Sequence, residues 1–233
     1  YASGIVPTGS PVTPTVTTIE DGTPVSSATI APGGAATMAD AFAFQTASGT
    51  DAITAITVTL ASGTSAAVSV VEITDVAGTI VYGSVSNPSS ETFTIALSTN
   101  IVATTTSTQY RIRVTPKSHA AMPAPPGSSY ALSVHIDDWT GTNAKGGSDS
   151  GNTVITIDNR SPGNVSNATA TSASTQVLLG WTNPADSDLG TIVVLRRAGA
   201  VVGDTPAEGV TYSVGNTVGS STVACVTAPA LGC

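Results

Sequence analysis

The feature that most constrains this chain is a two-residue alternation of apolar and polar side chains, repeated in short runs over residues 37–158. Tyr130, Leu132, Val134 and Ile136 occupy every second position, as do Phe93, Ile95 and Leu97. Tyr110, Ile112 and Val114 alternate with Arg111 and Arg113 on the opposite face. Successive side chains of a strand point to opposite faces, so this pattern builds half-buried strands and offers no helical stripe. Turn-forming stretches at Asp75–Gly78 and Gly83–Ser90 separate the runs at the spacing of an antiparallel sandwich or barrel. About eight strands are expected in this region.

Composition agrees with an all-β class. Thr and Val recur in runs such as Thr15-Val16-Thr17-Thr18-Ile19, where β-branching restricts a helix and suits a pleated surface. The formal net charge of −8, with 7 basic residues against 15 acidic ones, argues against nucleic acid as a partner. No apolar run approaches the roughly 20 residues of a membrane-spanning helix. Low charge with abundant Thr, Ser and Gly fits a secreted, cell-surface protein. The chain begins at Tyr1, and removal of a leader or an incomplete product is the expectation there.

Residues 1–36 read as an extended N-terminal arm, because Pro7, Pro11, Pro14, Pro24 and Pro32 exclude a helix and interrupt pairing. Short edge strands fit within Val12–Ile19 and Val25–Ile30. Residues 37–158 read as one β-sandwich domain, with loops at Lys117–Gly127 and Thr140–Gly151. A polar Pro/Gly break at residues 159–163 reads as a linker, and residues 164–233 as a second domain.

Within the second domain the strand pattern is carried by Val165–Thr171, Gln176–Trp181 and Gly190–Arg197. The segment Leu179-Gly180-Trp181-Thr182-Asn183-Pro184, the acidic turn Asp186–Asp188, the run Ile192-Val193-Val194-Leu195-Arg196-Arg197 and the later Gly209–Gly215 together resemble a bacterial fibronectin type III module. The resemblance covers residues 161–224. It implies a sandwich used for spacing or adhesion, with no family-wide active site, and a core position for Trp181. The expected architecture is therefore two antiparallel sandwich domains of immunoglobulin-like or fibronectin type III-like kind. The module's last two strands are missing from the pattern, and Cys225 and Cys233 stand in their place. A sequence continuing further, a degenerate closure and a strand supplied by a neighbouring molecule are three accounts of this. An unfinished sandwich exposes strand edges and an apolar groove.

No catalytic set is legible. His119 falls in the Pro-rich loop, and His135 falls out of phase with its strand's apolar residues; neither has a partner at metal or general-base spacing. No Gly-x-Ser-x-Gly segment is present. Asp137 and Asp138, with Asp149 and Asp158 further on, form a weak calcium pattern whose plainer reading is solvated turn acids. Asp186 and Asp188 take that same plainer reading. Trp139 reads as a partly buried strand-end residue, with an exposed sugar platform as the rival. Asn164 and Asn167 each begin a glycosylation triplet, a short pattern that arises by chance in Thr/Ser-rich chains. Cys225 and Cys233 are expected to form one local disulfide in an oxidising compartment, with inter-subunit bridging or free thiols as alternatives. No cofactor is expected.

These readings lead to a non-enzymatic structural subunit of an extracellular filament or surface assembly, joined by β-strand complementation. Its partner would be itself or another surface protein. Val12, Val16, Ile19, Val25 and Ile30 are the donor side chains expected. The alternatives are an adhesion, carbohydrate-binding or spacer fragment of a larger secreted protein, or a globular pilin-partner subunit.

Overall fold

The computed structural model describes residues 14–123, 129–160, 162–186, 189–207 and 210–228. It is all-β: strands, two short 3-10 turns and, among the described residues, no α-helix. The chain divides into two compact units, the first holding the described residues up to Asp158 and the second those from Asn159 onward.

Unit 1 contains β1 (Val16–Asp21), β2 (Ala28–Ile30), β3 (Thr37–Thr46), β4 (Asp51–Leu60), β5 (Val68–Asp75), β6 (Val81–Ser86), β7 (Thr92–Ala103), β8 (Thr108–Pro116), β9 (Tyr130–Leu132), β10 (Val134–Thr140), β11 (Ala144–Gly147) and β12 (Ile155–Ile157). Six strands form one sheet in the order β11-β1-β3-β8-β5-β6; the others form β10-β4-β7 and β2-β12-β9. Alternate side chains from all three sheets meet in one core, including Phe42, Phe44, Ile56, Ile73, Ile112 and Ile155. Phe44 is its aromatic hub. Its ring stands edge-on to Phe42 at 5.6 Å and to Trp139 at 5.3 Å, and lies 6.4 Å from Tyr110.

The arm expected over residues 1–36 is corrected for its described part. β1 pairs antiparallel with β3, placing Ile19 opposite Phe44, and parallel with β11, placing Val16 opposite Ala144. β2 pairs parallel with β12. Residues 16–30 and 144–157 thus run side by side and pass together from the six-stranded sheet to a three-stranded one. The crossing is stitched: Ser150 N–H donates to Asp21 (2.6 Å), Thr153 Oγ1 to the Val25 carbonyl (3.0 Å) and Asp158 N–H to the Ile30 carbonyl (2.9 Å). The loop expected over Thr140–Gly151 contains β11, whose Ala-Lys-Gly-Gly sequence has no apolar alternation. Gly147 has φ +78°, and a Cβ there would collide with the Ile19 carbonyl, so glycine is what permits this pairing.

Two β-bulges reset the phase of their strands. In β10 the register steps from Ile136 to Asp138, so Asp137 is the extra residue. Val134 and Ile136 point inward before it, and Trp139 points inward after it. In β3 the register steps from Met38 to Asp40; after that step Asp40, Phe42 and Phe44 share one face by simple alternation.

Unit 2 contains β13 (Ser166–Ser172), β14 (Val177–Thr182), β15 (Ile192–Arg196), β16 (Thr217–Val218) and β17 (Ser221–Thr227). β13 and β14 form a hairpin, and β15-β17-β16 form a separate sheet. β17, which carries Cys225, lies along β15 where the residue pattern promised no strand. Residues 210–215 form no strand; a turn closed by Asn216 N–H on the Ser213 carbonyl (3.0 Å) lies there instead. The apolar interior is thin: Ile192, Val218 and Val223 are buried, while Val177, Leu178, Val210 and Val214 are exposed. Trp181 is corrected from core to half-buried, its Nε1 donating to Asn183 Oδ1 at 2.9 Å.

Candidate functional site

Unit 2 contains an open groove of about 710 Å³. Val177 and Leu179 of β14, Val194 and Leu195 of β15, and Ala224 and Cys225 of β17, the neighbour of β15, line it. The lining follows from strand alternation, since Val177 and Leu179 share one face of β14. Beside it a smaller hollow brings Leu179 and Trp181 against Ile192 and Val194. The hairpin is only two strands wide and β15 ends its sheet, so among the described residues β14 and β15 each have one unpaired edge. All seven residues of β13 are exposed. This groove is mainly apolar, with Gln176 and Arg196 also in its lining, and it lies between strands that each have an unpaired edge, which suits an extended peptide better than a reacting small molecule.

The polar residues singled out in the sequence gather on β10 without forming a reactive set. His135 Nε2 lies 3.0 Å from Asp137 Oδ1, and the Thr59 hydroxyl also donates to Asp137. In hydrolytic triads the hydroxyl donates to the imidazole; here it donates to the carboxylate, so this arrangement does not activate Thr59 as a nucleophile. Asp138 accepts from Lys145 Nζ at 2.6 Å. That bond, with the Trp139 N–H, holds its carboxyl below the usual range despite slight burial. The weak calcium pair is thus engaged by neighbouring side chains. Among the described residues, no group of three or more His, Cys, Asp or Glu is placed to hold a metal ion.

Trp139 is only 5% exposed. Phe44 meets its ring, and Lys145 Nζ stands 5.6 Å from its centroid. The sugar-platform reading is therefore withdrawn. His119 opens a short 3-10 turn, His119–Ala121, in the Pro-rich loop. Asp186 accepts from Gly163 N–H at 2.9 Å, and Asp188 lies outside the described residues. Asn164 and Asn167 are exposed, and Asn167 Nδ2 donates to Thr182 Oγ1 at 3.2 Å. Cys225 is half-buried in β17; Cys233 lies outside the described residues.

The donor candidates are placed differently from expectation. Val16 and Ile19 are paired within β1, and Ile30 packs against the unit 1 core from β2. The Val25 carbonyl is taken by Thr153. Val12 lies outside the described residues. The groove was signalled in the sequence only indirectly, by apolar residues in a domain short of strands. No helix among the described residues is long and apolar enough to cross a membrane. No protein-family model matches the chain, and no curated protein matches it significantly.

Proposed function

We propose that this chain is a non-enzymatic structural subunit of an extracellular assembly, in which the fibronectin type III-like unit 2 accepts an extended strand from a neighbouring molecule. The observation that carries this reading is the groove between β14 and β15, apolar inside and flanked by unpaired strand edges. A strand added there satisfies main-chain donors and acceptors along β14 or β15, and its alternate apolar side chains pack against Leu179 and Val194. With Val16, Ile19 and Ile30 used inside unit 1, the donor in this reading is the stretch before β1 of a second copy, where Val12 falls. A local Cys225–Cys233 bridge beside the groove belongs to this reading and fits an oxidising, cell-surface location.

Leu179→Glu tests the acceptor. A carboxylate in the groove is expected to weaken self-association about a hundredfold, roughly 3 kcal/mol, while the far-ultraviolet circular dichroism stays unchanged. Sedimentation and electron microscopy read the result. A version lacking residues 1–13 separates donor from acceptor: if it assembles while Leu179→Glu does not, the strand comes from another protein. Wild-type protein that stays monomeric at high concentration supports the spacer reading instead, and a Leu179→Glu variant that assembles normally refutes the groove as acceptor.

A further inference from the structure

Where residues 16–30 and 144–157 change sheets together, two buried carboxyl groups face each other. Asp40 on β3 is 3% exposed and Asp149, just after β11, is 7% exposed. Asp40 Oδ2 and Asp149 Oδ1 find no hydrogen-bond donor among other groups, yet the two side chains are within hydrogen-bond reach of each other. Two carboxylates have no hydrogen to offer, so such a contact requires that one be protonated.

We propose that Asp40 and Asp149 share a single proton that latches this crossing in unit 1, and that loss of the proton loosens it.

The surroundings assign the proton. Asp149 Oδ2 accepts the Ile136 N–H at 2.8 Å, which favours its ionised form. Asp40 has the Ala41 N–H as its other partner, and it projects beside Phe42 in the low-dielectric interior. The other charged groups facing the pair are Asp21 from β1, which repels both and also has Asp149 as a hydrogen-bond neighbour, and His135 from β10, whose imidazole is already bonded to Asp137. No Lys or Arg figures among the main electrostatic influences on the pair. Burial first, and the Asp149 charge second, push Asp40 up to about 8, and burial also raises Asp149. The proton therefore rests on Asp40, and Asp149 accepts it.

The consequence for stability has a definite sign. A carboxyl whose folded-state value is raised favours folding fully below its unfolded value, near 4, and that contribution fades as pH rises towards 8. Once both groups are ionised, repulsion acts on the segment that carries Asp149 and Ser150. Ser150 holds Asp21 through its N–H and its hydroxyl, so the contact with β1 loosens with it.

Asp40→Asn supplies a permanent donor to Asp149 and needs no proton. For wild type, the protection of the Ile136 and Ser150 amides, corrected for intrinsic exchange, is expected to fall about tenfold or more between pH 6 and pH 9. In Asp40→Asn it is expected to stay nearly level. Wild type is also expected to show the infrared C=O band of a protonated carboxyl at neutral pH, a band absent from Asp40→Asn. That spectrum stands even where a variant folds poorly, and Asp149→Asn offers a second route to the same level profile. Parallel exchange profiles in wild type and Asp40→Asn, or no protonated-carboxyl band in wild type, overturn the proposal. So does a calcium-dependent rise in melting temperature at pH 8 that Asp40→Asn abolishes, since the pair would then hold a cation.

Discussion

Asp51→Ala is expected to lower the stability of unit 1 by about 3 kcal/mol, read as a lower urea midpoint at an unchanged slope. Asp51 is 1% exposed and stands at the start of β4. Its carboxylate accepts from Thr17 Oγ1 (2.7 Å) on β1, and from Thr142 N–H (2.7 Å) and Thr142 Oγ1 (2.9 Å) in the turn after β10. Asn143 N–H adds a longer contact at 3.4 Å. Alanine leaves these donors without an acceptor, each costing about 1–3 kcal/mol where water cannot reach. Asp51→Asn keeps the shape and one acceptor, so it is expected to cost only about half as much. Burial pushes the Asp51 carboxyl up, but the bonds from Thr142, Thr17 and Asn143 outweigh it and hold it below the usual range. Its contribution is therefore present above the unfolded value of about 4 and fades as pH falls through the lower folded value. Acid unfolding should flatten in Asp51→Asn relative to wild type.

The second large effect belongs to the core. Phe44→Ala removes the ring that joins Phe42, Tyr110 and Trp139, and is expected to cost about 3–5 kcal/mol in the same unfolding measurement. Phe44→Leu refills most of the volume and should recover more than half of that loss. Near-ultraviolet circular dichroism should report the change directly, because Trp139 loses its edge-to-face neighbour. A loss below about 1 kcal/mol for Phe44→Ala would show that the core closes over the gap.

Strands that alternate along their whole length were legible in the sequence. Tyr110–Val114 falls within β8, whereas the single run Tyr130–Ile136 is divided between β9 and β10, which belong to different sheets. Two kinds of feature were not legible. A bulge adds one residue and inverts the faces that follow, so alternation alone cannot place Trp139 inside. β11 is specified by its neighbour: Gly146 and Gly147 lie against β1, and no side-chain pattern of their own announces a strand. The prolines near the start of the chain allowed short strands between them, but gave no sign of which strands these would join. β1 and β2 lie largely within the two expected stretches, and their pairing with β3, β11 and β12 is what the prolines did not disclose. In the groove, Leu179 and Val194 read as ordinary strand residues, because openness depends on how few strands flank them.

The pairing of β1 with β11 and of β2 with β12 also sets an order of events. β1 and β2 find these partners only 128 and 127 residues later in the chain (Val16 with Ala144, Ala28 with Ile155). During synthesis, β1 can dock on β3 early, but its other edge stays open until β11 has left the ribosome. Such distant closure slows folding and prolongs the exposure of a bare edge. Charged Glu20 and Asp21 at the end of β1 are then well placed to discourage wrong partners during that wait.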